Sequence, residues 1–140
     1  MGEHQRDESF GRDIGEVARA RRFVTAALRS WGLEAEAAAL GLVAIELVGN
    51  AVLHGRGEIH LGLRHEVGQL RLEVTDEGGG PSSPRLQVPS ERGWGLHLVD
   101  QLADEWGADR RTTGTLVWMV RRIRHPRSPG SDDGADADGS

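Results

Sequence analysis

Between residues 59 and 75 apolar and polar positions alternate: Ile59, Leu61 and Leu63 against His60, Gly62 and Arg64, then Leu70, Leu72 and Val74 against Arg71, Glu73 and Thr75. A period of two predicts two strands with one dry face, and the short "HEVGQ" between them predicts a hairpin turn. Upstream the period lengthens. Val17, Ala20, Val24, Ala27 and Leu28 recur at helical spacing after Asp13, Glu16 stands where a capping box needs it, and Gly32 suits a C-terminal cap. A second helix is predicted from about Glu34 to His54, alanine-rich in its first half and stopped by Gly55 and Gly57. After the paired strands, a glycine- and proline-broken loop, Asp76 to Gly93, leads to a third helix over roughly Gly93 to Trp106. That helix would bury Leu96, Val99, Leu102, Ala103 and Trp106. Two further strands, about Ala108–Thr113 and Thr115–Ile123, would meet at Gly114, and Glu8–Phe10 would add a short one. Elements in this order predict an α/β (α+β) two-layer sandwich, a mixed, mostly antiparallel sheet with three main helices on one face.

One segment breaks its own pattern. In "AIELVGNAVLHG", Ala44 to Gly55, a carboxylate and a carboxamide four residues apart interrupt an apolar helix. That spacing places Glu46 and Asn50 on one face, one turn apart, with His54 continuing the stripe. Burying an unpartnered charge costs several kcal/mol, roughly, so either the stripe faces solvent or a ligand meets it. For a ligand, Asn50 would offer one amide oxygen to a hard ion such as Mg²⁺, and Glu46 could accept a proton from an attacking hydroxyl or water. Asp76 closes a strand and opens "DEGGG", where a carboxylate can accept from an exocyclic amine and Gly78 and Gly80 admit a flat ring. A mobile turn is the alternative. "GWGL" sets Gly93 and Gly95 at a helix start, where free N–H groups can hold an anion; ordinary loop punctuation has the same look.

Composition narrows the chemistry. A chain of 140 residues with 37% hydrophobic content suits one domain with a real core. All 17 basic residues are arginine, so neither a P-loop lysine nor a lysine Schiff base is available. With no cysteine there are no disulfides or thiolate metal sites, and His54, His60, His65 and His97 lack a zinc spacing. A serine nucleophile elbow is missing as well. The net charge of −5 resides largely in "SDDGADADGS"; residues 1–125 hold 18 acids against 16 arginines, which points away from nucleic acid. Arg110, Arg111, Arg121, Arg122 and Arg124 are expected on a solvated sheet edge, and Trp94 and Trp106 in packing. The polar start, and apolar runs broken by Glu46 and Asn50, argue against a signal peptide or membrane span, so a cytoplasmic location is expected. We divide the chain into a flexible N-terminus (1–7), one domain (8–124) and a disordered acidic tail (125–140).

Taken in order, "ELVGNAVLH" on a helix, "DEGGG" at a strand end and "GWGL" at a helix start resemble the GHKL nucleotide-binding superfamily. Within it they are similar to the small bacterial anti-sigma-factor and switch-protein serine kinases, over about residues 8 to 122. The resemblance implies a Bergerat-type ATP-binding fold. It also implies a serine/threonine kinase that uses ATP and Mg²⁺, phosphorylates an antagonist protein and can sequester a sigma factor; many members pair as homodimers. Glu46 would be the catalytic base and Asn50 the Mg²⁺ ligand. Asp76 would bind the adenine amine, Gly78 and Gly80 would shape its pocket, and Thr115 would lie nearby. Gly93 and Gly95 would bracket the phosphates with Leu96 behind them. Residues 77–92 would form the ATP lid, with Arg85 and Arg92 as its cations. Three positions depart from the family pattern: Gly49 before the asparagine, and Leu53 and Trp94 where arginines are frequent. The rival expectation is a non-catalytic interaction module in which bound nucleotide only sets the lid.

Overall fold

The computed structural model describes residues 3–77, 96–111 and 114–123. Among them the elements run β1 (His4–Phe10), α1 (Gly15–Ser30), a 3₁₀ turn (Glu34–Glu36), α2 (Ala37–His54), β2 (Ile59–Glu66), β3 (Gln69–Asp76), α3 (His97–Leu102), β4 (Glu105–Arg111) and β5 (Gly114–Arg122). The sheet order is β1-β2-β3-β5-β4, and among the described residues each pairing is antiparallel, where a mixed, mostly antiparallel sheet was expected. Antiparallel neighbours need only tight turns, and the sequence supplies one between β2 and β3 at Gly68.

Register explains the core. Leu61 faces Val74 and Leu63 faces Leu72 across β2 and β3, while Val74 faces Val117 and Leu72 faces Met119 across β3 and β5. One sheet face is therefore a continuous apolar floor. Onto it pack Ala20, Val24, Ala27 and Leu28 of α1 and Leu40, Val43, Ala44, Leu47 and Val48 of α2, each buried. Burial of each such leucine contributes about 1.5–3 kcal/mol. The span Glu34–His54 is long and apolar enough to cross a membrane by composition. Its packing between α1 and the sheet gives that apolarity a use in the core.

Several expectations change. β1 begins at His4, so residues 4–7, assigned to a flexible N-terminus, pair with β2 from His4↔His65 to Asp7↔Gly62, and the expected short strand Glu8–Phe10 continues the pairing to Phe10↔Ile59. Glu16 does not complete a capping box. Its carboxylate accepts from the Gly11 N–H at 2.7 Å and from Arg19, and α1 has no side-chain cap. The third helix stops at Leu102; Ala103 is extended, and the Asp104 N–H donates to the Val120 carbonyl at 2.8 Å. Trp106 thus lies on a strand, half-buried against the core, its indole donating to Asp100 at 2.9 Å. Arg121 leaves the expected solvated edge for an ion pair with Glu36 at 2.6 Å and a hydrogen bond to the Leu102 carbonyl at 2.7 Å. Trp94, Arg124 and the tail lie outside the described residues.

Candidate functional site

α2 carries the centre of the site. One stripe faces the sheet and another meets α1, which leaves Glu46 and Asn50 half-buried on the remaining edge. The Glu46 carboxylate reaches the start of α3, where it accepts from the Leu98 N–H at 3.4 Å and the Val99 N–H at 3.1 Å. First-turn N–H groups have no partner within their own helix, so a carboxylate suits them by hydrogen bond and by dipole. Leu96, just before, is buried in the core. One turn on, the Asn50 Nδ2 is buried and meets no acceptor among the described residues. Leaving such a donor unmet costs about 1–3 kcal/mol, a cost that an oxygen-rich ligand would remove.

Asp76 sits at the far end of the same helix. It closes β3 opposite Thr115 of β5, and Thr115 in turn lies opposite Arg110 of β4, so the three form one row across the sheet. The Asp76 side chain rests against Gly55, the residue that caps α2; a Cβ on Gly55 would overlap Oδ2 and lie 2.6 Å from Cγ. Gly114, at φ 145°, meets the Asp76 carbonyl just as closely. A hollow of about 290 Å³ opens beside Asp76 and Thr115, with Glu77, His60 and Arg111 also on its wall. Glu46 and Gly55 are nine positions apart on α2 and its cap, about 13.5 Å along the axis. Glu46 and Asn50 thus share one edge of α2, and Asp76 lies against the glycine that caps the same helix further along.

Sequence reasoning missed Arg12. From the loop before α1 its guanidinium donates to the carbonyls of Val52 at 2.5 Å, Gly55 at 2.9 Å and Gly57 at 3.5 Å. It therefore caps the negative end of α2. No local pattern links position 12 with residues forty places downstream. On the other side, the Glu77 N–H donates to the Arg56 carbonyl at 2.9 Å, and its carboxylate accepts from the Glu58 N–H at 3.3 Å. The turn after α2 is held from both flanks. Of the expected site residues, Glu46, Asn50, Asp76, Leu96 and Thr115 are described, and Gly78, Gly80, Arg85, Arg92, Gly93 and Gly95 lie outside the described residues.

Compared with known families, residues 10–121 match the model of the histidine kinase-like ATPase domain. Among solved structures, the chain is similar to the crystal structure of the RsbU and RsbW domains of Rv1364c from Mycobacterium tuberculosis, with a TM-score of 0.59 and 24% identity. The match covers 85% of this chain and 32% of that one, and what it establishes is a shared fold. Comparison with curated proteins returns no match.

Proposed function

The chain belongs to the histidine kinase-like ATPase domain family, and on that premise we propose that it binds ATP with Mg²⁺ and phosphorylates a serine or threonine of an antagonist protein, as an anti-sigma-factor-type kinase. The observation that carries the reading is the pairing of Glu46 and Asn50 one turn apart on α2, with Asp76 against the glycine that caps the helix and, among the described residues, no partner for the Asn50 amide donor. Asp76 would accept from the adenine amine, with Thr115 beside it. The Asn50 Nδ2 would donate to a phosphate oxygen. Among the described residues no group of three His, Cys, Asp or Glu could hold an ion. This suits Mg²⁺ carried mainly by phosphates and water, with the Asn50 oxygen as its protein ligand. When bound, the ion would neutralise charge on the transferred phosphoryl group.

In the transfer itself, the hydroxyl oxygen of the acceptor forms a bond to the γ-phosphorus, the bond from that phosphorus to the β–γ bridging oxygen breaks, and ADP leaves. Glu46 takes the hydroxyl proton. Its two backbone donors orient the carboxylate and leave lone pairs to accept. The partner reading extends to a sigma factor and to a homodimer. Support for it comes from the sequence resemblance and from the fold shared with the RsbU and RsbW domains of Rv1364c. Calorimetric ATP titration of wild type and Asp76→Asn tests the nucleotide reading, which fails if the two bind alike. Transfer of labelled γ-phosphate to the co-purifying protein, lost in Glu46→Ala, tests the kinase reading.

One observation favours the rival, a nucleotide-gated module without catalysis. Glu46 is already engaged with α3, so it can serve as a latch between α2 and the segment leading from the expected lid. ATP binding without phosphotransfer, together with altered partner binding in Glu46→Ala, would select that reading.

A further inference from the structure

We propose that Arg12 is a positioning residue for the base end of the nucleotide site and that it sets the preference for adenine over guanine. The proposal rests on the nucleotide reading above. Its basis is a chain of contacts. Arg12 binds three carbonyls of the turn that ends α2, those of Val52, Gly55 and Gly57. Gly55 is the surface against which the Asp76 side chain lies, and Gly57 is in contact with the Glu77 side chain next to it. Carbonyls at a helix C-terminus lack intrahelical donors, so without the guanidinium fork this turn is free to reorganise. A shift of the Gly55 backbone moves the wall that fixes the Asp76 carboxylate.

Discrimination follows from donor and acceptor chemistry. A carboxylate held in place accepts from the 6-amino group of adenine and opposes the 6-carbonyl of guanine. A carboxylate with a loosened wall does neither as well. Loss of Arg12 should therefore weaken ATP while leaving GTP unchanged or tighter, and a general loss of stability would lower both together.

The test measures ATP and GTP dissociation constants and melting temperatures for wild type, Asp76→Asn, Arg12→Gln and Arg12→Lys. Glu36→Gln is included because it breaks an ion pair to Arg121 that is separate from this turn. Arg12→Gln is expected to reduce the ATP-over-GTP preference about tenfold, the scale of one charge-assisted hydrogen bond, while Glu36→Gln lowers the melting temperature and keeps the preference. Arg12→Lys retains a cation at the helix end without the fork. It should regain melting temperature while the preference stays depressed, and it keeps the test decisive should Arg12→Gln fail to fold. An unchanged preference in both Arg12 variants, with Asp76→Asn still losing it, overturns the role of Arg12 and leaves the nucleotide reading standing. Absence of nucleotide binding in wild type overturns both.

Discussion

Gly55→Ala isolates the close approach between α2 and Asp76. Gly55 has φ −98° and ψ −161°, an extended conformation that alanine adopts without strain, so any effect comes from the added methyl group. That methyl would lie 2.6 Å from the Asp76 Cγ and 2.9 Å from the Ala51 carbonyl oxygen. Since carbon atoms rest about 3.5–4.0 Å apart, the carboxyl group must retreat by about 1 Å. Overpacking of this kind costs about 1–3 kcal/mol in stability. A carboxylate displaced that far no longer meets an amine at hydrogen-bond distance, and the lost charge-assisted bond of about 1.5–3 kcal/mol corresponds to roughly 10- to 150-fold weaker ATP binding. Calorimetry should register that loss for Mg-ATP, while inorganic tripolyphosphate, which has no base, binds the variant as it binds wild type. Wild-type ATP affinity in a folded Gly55→Ala protein would refute the argument that Asp76 is positioned by this contact.

The Glu16 carboxyl is held at about 2, against an ordinary 4.5, by hydrogen bonds from Arg19 and from the Gly11 N–H. A group depressed in the folded state stabilises fully above its unfolded pKa and loses that contribution as pH falls. Wild type should lose stability between pH 4.5 and about 2 more steeply than Glu16→Gln; parallel curves of urea midpoint against pH would count against it. Glu36→Gln removes the half-buried pair that ties the 3₁₀ turn to β5, at an expected cost of about 1.5 kcal/mol by urea unfolding, and a loss below about 0.5 kcal/mol would place the pair with ordinary surface bridges.

How much was legible varied with the range of the interaction. The strands β2 and β3 stand close to where alternation put them, because their apolar residues meet the core with period two whatever their neighbours are. β1 was foreseen only at its last residues. "HQRDE" has little apolar content, and its strand exists because β2 offers an unpaired edge. Trp106 was misplaced because Leu102, Ala103 and Trp106 fit a helical stripe as well as they fit a turn into a strand. The open edge of β5 decided between them, through seven pairings from Glu105↔Val120 to Arg111↔Gly114. Arg121, exposed by composition, is held by Glu36, a residue 85 positions away.

The sequence alone determined the helix that bears Glu46 and Asn50, the strand that ends at Asp76, and their order, since spacing along one helix and termination of one strand are local properties. Tertiary structure decided what those groups meet: Glu46 on the first turn of α3, Asp76 against Gly55, and Arg12 over the carbonyls that end α2. The physical reason is directional. Hydrogen-bonded and close-packed contacts depend on positions fixed to within an ångström by the whole core, and no periodicity along the chain encodes them.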